Sequence, residues 1–482
     1  MAHSTRKTLL KMMRASRDLH RGGIKHLLRK SPDLEDERTF RSFLRFCDAG
    51  GQVAEIAYRM NYLRGLTIDM DPDSFDYDSD DADMWQDELG SMAQALTQLF
   101  TSTIRVYAHN FTRLVILSCD SLFAADPNLS LAIASLTTLT HLNFCDATEN
   151  SFKLLGSLQS CLVAAHIGMD INLIDPLDGD LTALLRRSES SLTNLSLYHT
   201  SSPTGVACYP QVHTLDVRHL DIPATRHYVT TFPNLRVLTA DECIGRYSGD
   251  EEEWARYRNL NIAQQARDGS WGSLQSYAGS ILLLYLFGLA CHVPYVHVHA
   301  NDEYESMIIR QVRAVVADTR PEHLVVSQVS HVLEQAEDIV ALFNDAGFQA
   351  VKTFVLSMSL CAGDYKADME AMLECIFAAV SSSSSLVGLS LAINWSAIRR
   401  QIQTTRPRVG PSGKKQRPKP SRALAFLESL DAHTVADRLL GSCQSLQAVK
   451  VVLGKATAER GPVDILCNRK TFKGPGAARG SD

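Results

Sequence analysis

The histidines of VPYVHVHA are the nearest thing in this sequence to a ligating set. His297 and His299 stand two apart in a strand-like run, with His292 just upstream. Spacing of i, i+2 on a strand places two imidazoles on one face, where they can converge on zinc. No Cys, Asp or Glu completes the set at ligand spacing nearby, so they read as surface histidines and no metal is expected. Asp69, Asp71 and Asp73 have the first spacings of a calcium loop. Ser74 stands where that loop needs a Gly, and Asp80 where it needs a closing Glu, so the stretch reads as a solvated acidic insertion over 69–88. The 11 Cys are scattered singly with no CxxC pair, so neither a zinc ribbon nor a thioredoxin-like site is indicated. VGPSGKKQ has the wrong glycine spacing for a phosphate loop, and no GxSxG, HExxH or Rossmann fingerprint is present. No catalytic residue and no cofactor is expected; the chain reads as a binding protein, not an enzyme.

The elements that must position these residues follow one apolar frame, LxxLxL. It is clearest over 191–243: Leu192, Leu195, Leu197; Val212, Leu215, Val217; Leu235, Leu238, Ala240. The frames start 20 and 23 residues apart, inside the period of leucine-rich repeats. Further strands are expected at 63–68, 111–116, 139–144, 162–167, 293–298, 323–329, 352–358, 386–393 and 446–453. Cys119 and Cys243 occupy the slot where each repeat turns out of its strand, which reads as packing rather than nucleophilic chemistry. Ser-rich turns recur in LTALLRRSESSLTNLSL and AAVSSSSSLVGLSL, so one unit's grammar is repeated about two hundred residues later. The predicted fold is α/β, an irregular leucine-rich-repeat solenoid of eleven or twelve units. Parallel strands line its concave side, helices its convex side, and an N-terminal helical segment caps it. The stretch 244–272 breaks the period and reads as a polar insertion or surface helix. A buried helix is expected from 274 to 293.

The first 50 residues carry a second pattern. TLLKMMRASRDLHRGGIKHLLRK has helical spacing through Leu9, Met12, Met13 and Leu19, with Gly22-Gly23 expected to end that helix. Ser31-Pro32-Asp33 signals another helix start, and SFLRFCDAGG supplies the stripe Phe40, Phe43, Leu44 and Cys47. Together these resemble the segment after the first F-box helix in basidiomycete F-box/leucine-rich-repeat proteins. The resemblance implies a substrate receptor of a Skp–cullin–F-box ubiquitin ligase, with the repeats choosing the substrate protein. The opening Leu-Pro segment of an F-box lies outside the sequence, so weak or no binding to the Skp-family adaptor is the expectation. The alternative is a leucine-rich-repeat adaptor without ligase coupling.

Composition sets the remaining bounds. The 482 residues carry a net charge of -6, and the pI is about 6.2, so no global basic field calls for nucleic acid. The Lys and Arg of the N-terminal segment read as a solvated helix face. The longest apolar run, from Ile281, is too short to span a bilayer, and no membrane partner is expected. Unpaired thiols and the absence of a secretory pattern suggest a cytoplasmic or nuclear protein. The organisation reads as a helical cap over 1–50, a solenoid over 51–395, a basic Pro-containing disordered linker over 396–422, and a terminal repeat with a frayed tail over 423–482. The linker's Lys414, Lys415, Arg417 and Lys419 have the density of a nuclear-import cluster.

Strand alternation selects the candidate binding face. Residues between and just after the framed positions point away from the core. They are Ser196 and Tyr198, Asp216 and Arg218, Thr239 and Asp241, and His297 and His299. Val115, Leu117, Val325 and Ala392 offer a more apolar margin. An unidentified partner protein is expected to dock across Tyr198, Arg218 and Asp241, since Tyr and Arg are favoured at binding hot spots.

Overall fold

The computed structural model describes residues 13, 17–48, 52–70, 82–118, 120–169, 180–220, 222–243, 251–300, 308–329, 336–360, 364, 368–398, 408–409, 415–416, 422–454 and 463–468. They form two compact units, Met1–Asp221 with His227–Leu235, and Ile222–Arg226 with Arg236–Asp482.

In the first unit the LxL frame becomes two buried ladders. Strands β1 (Asp33–Leu34), β2 (Gly65–Asp69), β3 (Arg113–Ser118), β4 (His141–Ala147), β5 (Ala164–Met169), β6 (Asn194–Tyr198) and β7 (Thr214–Leu220) pair in chain order, all parallel. One row runs Leu66, Leu114, Leu142, Ala165, Leu195, Leu215; the next runs Ile68, Ile116, Phe144, Ile167, Leu197, Val217. All twelve side chains are buried. A strand in such a stack cannot bury its apolar face alone; each neighbour supplies the cover.

The second unit repeats the arrangement with β8 (Val237–Cys243), β9 (Ser276–Ser280), β10 (Tyr295–His299), β11 (His323–Val329), β12 (Thr353–Ser359) and β13 (Gly388–Asn394), again parallel. A two-residue antiparallel pair, β14 (Arg408–Val409) with β15 (Lys415–Gln416), intervenes. Strand β16 (Ala448–Gly454) then continues the parallel run beside β13, and β17 (Val463–Asn468) closes it antiparallel. The architecture is α/β, with mostly parallel open sheet and connecting helices in a solenoid-like arrangement.

One backbone contact marks the repeat. The carbonyl just before a strand accepts two N–H groups from the turn into the next. Thr112 O takes Thr140 N and His141 N, and Val163 O takes Thr193 N and Asn194 N. In the second unit Glu322 O takes Lys352 N and Thr353 N, and Lys352 O takes Val387 N and Gly388 N. Hydroxyls in the Ser-rich turns add to this: Ser191 Oγ donates to Leu162 O at 2.7 Å, and Leu162 N donates to Ser188 Oγ at 2.9 Å. The small polar residues of these turns therefore satisfy backbone groups that would otherwise be buried unpaired.

Several expectations are corrected. Gly22 and Gly23 lie inside the Arg17–Arg29 helix rather than ending it. The Met13 side chain occupies the space a Gly23 Cβ would fill. Asp33 begins a short strand, not a helix; the following helix starts at Glu37, with Asp36 accepting from Thr39 N at 2.6 Å. The acidic stretch to 88 is helical from Ala82. The stretch from 274 to 293 is not one helix but β9 followed by the short helix Ile281–Phe287, which ends on Gly288 at φ 53°.

The polar stretch 244–272 contains the 18-residue helix Glu251–Asp268. Its inner face is Trp254, Asn261 and Gln265 rather than leucines. Asn261 donates to Pro223 O and Leu286 O, both at 2.8 Å, and Gln265 donates to Gly288 O at 2.7 Å. Near the C-terminus, β17 rather than 446–453 is the last described strand. The helical run over 423–440 is two helices, Arg422–Ser429 and Ala432–Ser442, split where Asp431 caps the second. The calcium-like loop at 71–80, Cys119 and the tail beyond 468 lie outside the described residues, as does the basic linker apart from β14 and β15.

Candidate protein-interaction face

In the first unit, four of the anticipated residues are brought together. Ser196 stands opposite Asp216, and Tyr198 opposite Arg218, across the β6–β7 pair. The Arg218 guanidinium carbon lies 5.1 Å from the Tyr198 ring centroid, a cation–π distance. The same guanidinium reaches the Asp216 carboxylate through Nε and a terminal nitrogen, each at 3.4 Å. The Arg218 side chain is 44% exposed and that of Asp216 20%. The pair is thus held in place while remaining open to solvent.

His166 completes this cluster from β5. It stands opposite Ser196, and its ring packs 4.6 Å from that of Tyr198, tilted by 50°. Burial is the first cause that depresses its pKa; Arg218 lowers it further and Asp216 opposes. Burial likewise raises the Tyr198 phenol, with Asp216 adding to the effect. Both groups are therefore held neutral near pH 7, and the exposed formal charges of the cluster are Arg218 and Asp216. His166 occupies in β5 the position that Ser196 occupies in β6. The frame LVAAHI carried that signal, muted by Ala165 where other repeats have Leu.

A second feature, invisible in the apolar frame, lies where these strands end. His199 and His219 both adopt left-handed backbone conformations, at φ 54° and 51°. Their rings stack at 4.0 Å, 8° from parallel. Asp146 and Gln328 take the same conformation at φ 53° and 60°. In β4, β7 and β11 the next residue, Ala147, Leu220 or Val329, turns back into the core. In β4 and β11 the left-handed residue falls within a register shift, after which pairing resumes at Ala147 with Met169 and at Val329 with Met358; this conformation is usually taken by Gly or Asn.

The second unit holds Thr239, Asp241, His297 and His299. His299 Nε2 lies 2.8 Å from Asp241 Oδ1, joining β10 to β8 across β9. The intervening Ser280 is buried and opens the Ile281–Phe287 helix, so the two longer side chains meet across it. His297 Nε2 instead lies 3.3 Å from Ser327 Oγ on β11. Burial, then the neighbouring His299, lowers the His297 pKa. Thr239 is half-buried opposite Ala278. The two histidines of VPYVHVHA therefore turn to different partners. Among the described residues no three His, Cys, Asp or Glu side chains gather as a metal site. Among them, too, no helix is long and apolar enough to cross a membrane.

No protein-family model matches the chain, and a search of curated proteins finds no match.

Proposed function

We propose that this chain is a non-catalytic protein-recognition scaffold of the leucine-rich-repeat type, and that its strand face takes a partner protein. The observation that carries this reading is the His166–Tyr198–Arg218–Asp216 cluster: an aromatic and a guanidinium held together, partly exposed, on a rigid parallel sheet. Preorganised Tyr and Arg contribute disproportionately to binding because they offer large contact area with little freedom left to lose. The resemblance of residues 1–50 to F-box/leucine-rich-repeat proteins supports a receptor role in a Skp–cullin–F-box ubiquitin ligase. In that role the strand face selects the protein to be modified.

The test has two arms. Tagged full-length chain is used to capture partners, alongside Tyr198→Ala/Arg218→Ala. A partner held by the first and lost by the second supports the recognition face. Purified Skp adaptor is then titrated against the full chain. Weak or no affinity is the expectation for these 482 residues and leaves the scaffold without ligase coupling, whereas sub-micromolar affinity supports the ligase role.

A further inference from the structure

A separate concavity opens in the second unit, at the turns leading into β10, β11 and β12. It measures about 420 Å³ and is lined by His292, Arg320, Glu322, Ala350 and Lys352. That volume lies within the range of ligand pockets. Three successive repeats each contribute to it. His292 precedes β10, Arg320 and Glu322 precede β11, and Ala350 and Lys352 precede β12. Ala350, with a side chain of one methyl group, keeps the space open.

The charges are not balanced. Lys352 Nζ is paired to Glu322 Oε2, and that hydrogen bond is the first cause holding the Glu322 carboxyl below its usual range. Among the described residues Arg320 makes no ion pair, so it is the surplus charge of this lining, with its residue exposed. Its backbone is also unusual. Arg320 follows the Ile308–Thr319 helix at φ 45° and donates its N–H to Val316 O. This left-handed position after a helix usually holds Gly, because a side chain there is strained. An Arg at this site places a guanidinium on the rim of the concavity.

We propose that this notch binds a carboxylate side chain of an acidic peptide. One unbalanced positive charge fits a monoanion. A phosphate dianion would leave negative charge facing Glu322. The Arg320 fork matches a carboxylate in a two-point contact, and the His292 imidazole offers one further donor. Lys352 holds Glu322 in place beside it. This proposal concerns a different unit from the Tyr198 cluster and does not rest on it.

The probe is a fluorescein-labelled hexaglutamate peptide, with hexaglutamine as its uncharged counterpart, titrated into the full chain by anisotropy. Hexaglutamate binds and hexaglutamine does not. Arg320→Gly weakens hexaglutamate by about ten-fold or more, the loss expected for one charge-assisted contact. That variant suits the left-handed backbone, so its melting temperature is unchanged or higher. Glu322→Gln tightens binding by removing the competing charge. Equal binding by Arg320→Gly overturns the proposal. So does inorganic phosphate displacing the peptide at lower concentration than acetate, because the site would then prefer the dianion.

Discussion

Replacing Gly279 by Ala is expected to destabilise the second unit severely. Gly279 sits in β9 at φ +137°, a region that residues with side chains rarely adopt. An added Cβ would overlap the Ala240 carbonyl oxygen and stand 2.6 Å from its carbonyl carbon. Both groups are backbone of adjacent strands, since Ala240 and Gly279 are directly paired in the β8–β9 register. Neither can rotate away as a flexible side chain would. Backbone strain at such a position costs about 1–3 kcal/mol, and forcing extra volume into packed structure costs about 1–3 kcal/mol more. The sum, about 2–6 kcal/mol, is a large share of the roughly 5–15 kcal/mol that stabilises a typical domain. The assay is urea unfolding followed by circular dichroism, in which the midpoint falls while the slope holds. Gly441→Ala is the control. It lies in the Ala432–Ser442 helix, and among the described residues no heavy atom beyond that helix's own backbone and the chain neighbours lies within 4 Å of an added Cβ. There Ala should stabilise by about 0.5–1 kcal/mol. A Gly279→Ala chain that unfolds at the wild-type midpoint would refute the β8–β9 pairing and the assignment of SYAGS as a strand.

Two further outcomes follow from the same ladders and cluster. Leu215 is fully buried, so Leu215→Ala should cost about 2–5 kcal/mol in transfer and cavity terms; an unchanged melting curve would contradict the buried row. His166 has its folded pKa depressed, chiefly by burial, so its neutral form is favoured in the native state. The unfolded chain then binds more protons once pH falls below the ordinary histidine value of about 6.5, and stability is lost as pH drops through the folded pKa. The His166 imidazole should titrate below that value by NMR, and His166→Gln should flatten the stability profile between about pH 7 and pH 5. A midpoint above the ordinary value would contradict the geometry.

The strands that were legible in the sequence are those whose core positions hold Leu, Ile, Val or Phe at two-residue alternation. β6, β7 and β11 are examples, and their ladders follow directly from LSL, LDV and LVV. β9 was not legible because Tyr277 and Gly279 stand in its two core positions. Tyr277 is admitted there because its hydroxyl reaches Ser280 O at 2.8 Å. The two residues of β1 are too few to show a period, and β17 pairs antiparallel outside the repeat. The Glu251–Asp268 helix hid its buried face because Asn261 and Gln265, polar by composition, are buried by bonding to backbone carbonyls. At the candidate face, alternation identified which residues point outward. It carried no information on the contacts among them. The stacking of Tyr198 between repeats and the union of Asp241 with His299 depend on strand register, which no single frame encodes.

The recognition face is tested most directly by the affinity of a purified partner for the full chain and for Tyr198→Ala/Arg218→Ala. A helix-side pair, Leu131→Ser/Lys153→Ala, serves as the reference, because both of its residues are exposed on the Pro127–Ala134 and Glu149–Ser157 helices. The strand-face pair should weaken binding by at least about 2 kcal/mol, roughly 30-fold, with the circular dichroism spectrum intact and the helix-side pair near wild type. Full affinity in the strand-face pair, together with loss in the helix-side pair, would place the partner on the opposite side of the sheet and contradict the account.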